Sequence, residues 1–211
     1  MKNILVISSA TKKAYICLKT ENKKDFIEID ANCRQSENIL FQIDKLLEGN
    51  SIDISNIDAI GVVVGPGSFT GVRIGIALVK GLCAGNKNIK VCPISSLDLI
   101  AEHITDIDRF ACGINALSGL VFAKEFDKSE SFISEEKLVS IEEFNSYLEP
   151  KFGLREESIC ENTIEINPES LLNLALRKME EGCWTDIKTL SPVYLRNSQA
   201  EENLKKNQKT T

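Results

Sequence analysis

The sequence predicts an α/β fold, and three observations carry the prediction. Short β-rich runs alternate with helical stripes in the order β-β-β-α-β-α-β-α through the first hundred residues. The run DAIGVVV at 58–64 is almost continuously apolar, as a strand covered on both faces must be. CGINALSGLVFAKEF at 112–126 has the strand, small-residue turn, strand layout of LVISSATKKAYICLK at 5–19, which hints at internal duplication.

The elements follow in order. Residues 3–9 and 14–19 read as a hairpin around ATKK, and 26–31 as a third strand after the charged turn ENKKD. Ile39, Leu40, Ile43, Leu46 and Leu47 then make one apolar stripe on a helix over 35–48. Asn32 or Ser36 can cap its start, and Gly49-Asn50 can end it. After the strand at 58–64 come a helix at 70–84, a strand at 89–94 and a helix at 96–104. Strands at 110–116 and 120–126 open the second half. Asn167-Pro168-Glu169 starts a last helix that carries Leu171, Leu172, Leu174, Ala175, Leu176 and Met179 and stops at Gly182.

Composition narrows the chemistry. The 211 residues are 43% apolar and 27% charged, enough for a buried core. The net charge of −6 and 6% aromatic content disfavour unaided grip on nucleic acid. Residues 1–105 hold 11 acids and 12 bases, while the rest hold 20 and 13, so the second half is acidic. His103 is the only histidine, which excludes two-histidine metal sets; it reads as an ordinary helix C-terminal residue. The seven cysteines come no closer than nine positions, without CxxC spacing, and read as reduced thiols. The opening MKNILVISS reads as a first strand, not a signal peptide, and uncharged stretches reach only fourteen residues. A soluble, cytoplasmic chain without membrane contact is expected.

The most informative segment is GPGSFTGVRIG at 65–75, between a strand and a helix. Gly65 and Gly67 permit unusual backbone angles or close approach, Pro66 stiffens the turn, and Ser68 or Thr70 can cap the helix. Walker A, dinucleotide-binding and nucleophile-elbow patterns all fail here, which leaves a structural turn or a phosphate cradle. Gly71 and Gly75 lie on one helix face, where two glycines imply a close backbone neighbour. That neighbour is either this chain's own sheet or a partner helix.

GPGSFTGVRIG, with ILVISSAT, RQSENIL, PISSLDLIA and SPVYLRNSQAE in the same order, resembles the TsaB (YeaZ) family of bacterial tRNA threonylcarbamoyladenosine biosynthesis proteins over most of the chain. The resemblance implies a two-lobed actin-like fold related to sugar kinases and chaperone ATPases, each lobe a mixed sheet with helices, here divided 1–105 and 106–211. It implies a non-catalytic scaffold that dimerises with TsaD, the subunit that transfers threonylcarbamoyl to N6 of adenosine 37 in tRNAs reading ANN codons. TsaE joins that assembly, tRNA is met only through it, and a homodimer forms on the same surface when TsaD is absent. Ser36, Leu40, Phe69, Thr70, Gly71, Arg73, Ile74, Gly75 and Leu78 would face the partner, with Gly65, Pro66, Gly67 and Ser68 as the structural loop. No intrinsic cofactor, metal or catalytic residue is expected, although an adenine nucleotide can lie at the TsaD boundary.

Departures from the active relatives agree with this. Where TsaD-like proteins carry a metal-binding HxxxH, this chain offers Gln35 and Ile39. Ser8 and Asn115 stand where the family's hairpins usually carry aspartate, and Leu117 replaces an arginine. The alternative is an actin-like-fold enzyme, either a glycoprotease-like peptidase or a small-molecule kinase or ATPase, which would need carboxylates beside phosphate or an activated nucleophile. Arg73, Lys80 and Lys87 are the residues on which direct tRNA binding would rest.

Overall fold

Two mixed sheets share a layer of helices. The computed structural model describes residues 1–30, 35–129, 132–155 and 159–193, the side chains of 35–37 and 132–133 excepted. Strands β1 (Ile4–Ser8), β2 (Lys13–Lys19) and β3 (Lys24–Asp30) form an antiparallel meander. Helix α1 (Gln35–Gly49) leads to β4 (Ala59–Gly65), α2 (Phe69–Gly85), β5 (Lys90–Ser95) and α3 (Ser96–Glu102). The first sheet has the order β3-β2-β1-β4-β5, with β1, β4 and β5 parallel. Every residue of β4 is buried, because α2 covers one face and helices from the other side cover the second.

The second sheet repeats this plan. Strands β6 (Arg109–Leu117), β7 (Leu120–Asp127), β8 (Phe132–Ile133) and β9 (Lys137–Ser140) precede the short α4 (Ile141–Asn145). Then come β10 (Lys151–Leu154), β11 (Asn162–Ile164) and α5 (Pro168–Glu180). The order β8-β7-β6-β10-β11 matches β3-β2-β1-β4-β5 strand for strand, with β9 also pairing β7. The duplication hinted at in the hairpins is therefore one of topology.

The sheets divide between Ser95 and Arg109, but α5 crosses back to pack on β1, β2, β3 and β5 of the first sheet. Its stripe of Leu171, Leu172, Leu174, Ala175 and Met179 is buried there. Helix α3 touches both sheets and α5, so one apolar core runs from Leu5 and Ile60 through Leu97 to Phe110 and Phe126. At this junction the half-buried Asp98 carboxylate on α3 accepts from Lys124 of β7 at 2.5 Å and Lys178 of α5 at 2.7 Å. Glu136 lies 3.6 Å from Lys124 and accepts the Ser95 hydroxyl proton, closing a ring across the two sheets.

Most helix ends are where capping chemistry puts them. Ser68, Ser95, Ser140 and Asn167 each accept an early amide of the helix they precede. Asn32 lies outside the described residues, and Ser36 falls inside α1, not at its cap. His103 is more than an ordinary terminal residue. Its Nε2 accepts the Asn167 backbone N–H at 2.9 Å, which leaves Nδ1–H to donate to Leu99 O at 2.8 Å. The ring thus ties the end of α3 to the start of α5. His103→Ala is expected to cost about 1–2 kcal/mol in urea unfolding, the worth of its two lost hydrogen bonds at a partly open site.

Candidate functional site

The GPGSF segment is held from behind by the turn after β1. Gly65 has φ +105°, in the region that favours glycine, and the Gly65–Pro66 bond is cis. Ser68 N–H donates to Ala10 O at 2.8 Å, while Ser68 Oγ accepts Gly71 N–H at 3.2 Å. A Cβ on Gly67 would come within 2.5 Å of Ala10 O, one on Gly71 within 1.9 Å of Ser9 O, and one on Gly75 within 2.7 Å of Ser9 Oγ. Ser9 Oγ in turn donates to Gly71 O at 2.7 Å. The Ser68 and Gly71 amides are committed inside the chain, which takes these two donors away from any phosphate. The close neighbour of Gly71 and Gly75 is this chain's own Ser9, so these two glycines, expected at a partner surface, are buried away from it.

What α2 presents outward is a different set. Phe69 is 43% exposed, and the Arg73 guanidinium stacks 3.7 Å from the centre of its ring. Thr70, Ala77 and Gly81 are exposed on the same helix, and Ile74 and Leu78 are half-buried, packed against the core on one side. Beside it α1 exposes Leu40 at 43% and Phe41 at 52%, with Lys45 Nζ 4.3 Å from the Phe41 ring centre. The two helices contact each other, so these side chains belong to one face of the first sheet's helical layer. Six of the nine expected partner residues share this layer's outer side: Leu40, Phe69, Thr70, Arg73, Ile74 and Leu78. The Ser36 side chain lies outside the described residues.

Phe41, Ala77 and Gly81 were missed by the sequence reading. Phe41 had a signal: an aromatic residue off the apolar stripe of an amphipathic helix has no core to fill. Ile39, set against the metal-binding pattern, is fully buried in the core.

The β1–β2 and β6–β7 hairpins carry no acid at the marked positions, Ser8 and Asn115. Ser8 is 1% exposed, and its hydroxyl has no hydrogen-bond partner among the described residues. Asn115 Oδ1 accepts the Leu117 amide at 2.8 Å and closes its own turn, where Leu117 (φ +63°) and Ser118 (φ +55°) adopt left-handed backbone. Among the described residues, no three His, Cys, Asp or Glu side chains are grouped to hold a metal ion. Burial pushes the Cys17 thiol up to about 12 and the Cys92 thiol up to about 11, so neither supplies a thiolate near neutrality. A cleft of about 640 Å³ opens at the junction, but its charges pair internally: Lys178 with Asp98, Arg177 with Glu102, Arg109 with Asp127. No helix among the described residues is long and apolar enough to cross a membrane.

Similarity to known proteins points one way. The family described as TsaD, tRNA N6-adenosine threonylcarbamoyltransferase, matches residues 30–151. The tRNA threonylcarbamoyladenosine biosynthesis protein TsaB of Escherichia coli is 24% identical over 95% of this chain and 97% of its own length. That of Haemophilus influenzae is 32% identical over 50% of this chain, a match spanning only 44% of the relative. The solved structure of YeaZ from Pseudomonas aeruginosa superposes with a TM-score of 0.76 at 22% identity, covering 92% of this chain and all of that one. The expected fold class is thereby borne out: two mixed sheets with flanking helices, arranged as in YeaZ.

Proposed function

We propose, on the premise that this chain belongs to the TsaD family of tRNA N6-adenosine threonylcarbamoyltransferases, that it is a non-catalytic subunit in the biosynthesis of N6-threonylcarbamoyladenosine in tRNA. It pairs with a TsaD-type catalytic subunit through the outer face of α1 and α2. TsaE joins that pair, an adenine nucleotide lies at its boundary, tRNA is met through the complex, and the work is done in the cytoplasm.

One observation carries the reading. Exposed Phe41, Leu40 and Phe69 lie on two helices whose other sides are sealed in this chain's core. Apolar side chains so placed gain by burial against a second subunit, and aromatic residues and arginine are the types that dominate such contacts. Rigidity supports it. The start of α2 is bolted to Ser9 and Ala10, and Arg73 is stacked on Phe69, so little order has to be imposed on association. The same surface serves for a homodimer when the catalytic subunit is absent. The enzyme alternative finds no support in the hairpins, where Ser8 is sealed and Asn115 closes its own turn.

The test is copurification with the cognate TsaD-type subunit. Phe41→Glu combined with Phe69→Glu, both exposed, is expected to weaken capture by about 100-fold or more, the scale of losing two central apolar contacts. Thermal unfolding of the variant should stay near wild type. Capture at undiminished affinity by a folded double variant would rule this face out.

A further inference from the structure

The segment after α5 is a strap along the first sheet. Thr185 N–H donates to Val91 O at 2.9 Å and forms an antiparallel bridge on the outer edge of β5. Trp184 and Ile187 pack against the core, and Leu190 is 3% exposed. At the far end of the sheet Val193 N–H donates to Val64 O at 2.9 Å. That acceptor is available for a particular reason. The β4–β5 ladder pairs Val63 with Ile94 and then Gly65 with Ser95, so a bulge at Val64 leaves this residue without a partner in β5. Val64 immediately precedes the Gly65–Ser68 loop that caps α2 and sets the position of Phe69 and Arg73.

We propose that the strap 184–193 is a conformational brace that couples the C-terminal part of the chain to the start of α2, through the Val193 N–H to Val64 O bond. With the strap seated, the bulged end of β4 is held and the loop presents α2 in one position. With the strap lifted, Val64 O loses its partner and the loop is held only from the Ser9–Ala10 side. Linkage is reciprocal, so whatever fixes the start of α2 also seats the strap. The consequence for association rests on the partner reading above; the brace itself does not.

Amide hydrogen exchange on the free chain tests the brace. Val193→Pro deletes the donor, and Leu190→Ala loosens the anchor while keeping it. Both are expected to speed exchange of the Ser68 and Gly71 amides by about tenfold, the equilibrium worth of one hydrogen bond. Val193→Ala, which keeps the N–H, should leave them unchanged. Rates are read against Leu5 and Ile16 amides in the central strands, which report global opening. Unchanged loop exchange in Val193→Pro and Leu190→Ala, with the strap amides of Thr189 and Leu190 released, would overturn the brace. If the brace holds in the free chain but Phe41→Glu with Phe69→Glu does not disturb capture of the TsaD-type subunit, the partner reading alone fails.

Discussion

Gly71→Ala is expected to lower the unfolding free energy by about 2 kcal/mol or more, although alanine is the better helix former. The two effects oppose each other. Alanine gains about 1 kcal/mol over glycine in a helix interior. Its methyl group would stand 1.9 Å from Ser9 O, a backbone atom that cannot swing aside, and overpacking of this kind costs about 3 kcal/mol or more. Displacing Ser9 also strains its hydroxyl bond to Gly71 O. Gly81 on the same helix gives the opposite sign. A Cβ there meets nothing within 4 Å, so Gly81→Ala is expected to stabilise by about 0.5–1 kcal/mol. Urea unfolding of both variants measures the contrast; a stabilised Gly71→Ala would show that the start of α2 is free to move off β1.

Asp98→Ala is expected to cost about 3 kcal/mol and to loosen the junction of the two sheets. The carboxylate holds the buried Lys124 ammonium and the half-buried Lys178 ammonium, and removing it leaves Lys178 without its partner and Lys124 with only the more distant Glu136. Breaking a buried ion pair from one side costs about 3–5 kcal/mol, and Glu136 together with the partial exposure of Asp98 and Lys178 puts this case at the lower end. The pH dependence has a definite sign. Burial alone would raise the Asp98 carboxyl, but Lys124 and Lys178 overcome it and hold it below the usual carboxylate range. Its contribution is therefore present above about pH 4 and is lost as pH falls through the lower folded-state value. For Lys178, burial works to lower the ammonium, and Asp98 outweighs it and raises it above 10.5. That part persists through neutrality and is lost only as pH rises through the raised value. The stability gap between wild type and Asp98→Ala should thus be flat from pH 5 to pH 9 and shrink below pH 4. A gap that closes near neutrality would mean the cluster is not ionised as drawn.

Local pattern was enough for much of this protein. The apolar run at β4, the Ile39–Leu47 stripe of α1 and the Asn167-Pro168 start of α5 need only neighbouring residues to specify them, and all three elements form where the sequence puts them. The short strands β9, β10 and β11 and the five-residue α4 escaped notice. Such pieces have no period of their own; β9 and β10 form on the edges of β7 and β6, and β11 in turn on β10.

The outer α1–α2 layer was half legible. Phe69, Arg73 and Leu40 stood out in a motif or a stripe, whereas Phe41 gains meaning only once α1 is seen to bury its opposite side. By itself the sequence determined where the longer helices and strands lie, and that Gly71 and Gly75 must meet a close neighbour. Only the tertiary structure decided that this neighbour is Ser9, its carbonyl at Gly71 and its hydroxyl at Gly75, that α5 returns to the first sheet, and that His103 and Asp98 bind the halves together. These are contacts between residues far apart in the chain, and chain order sets no distance between them until the core has closed.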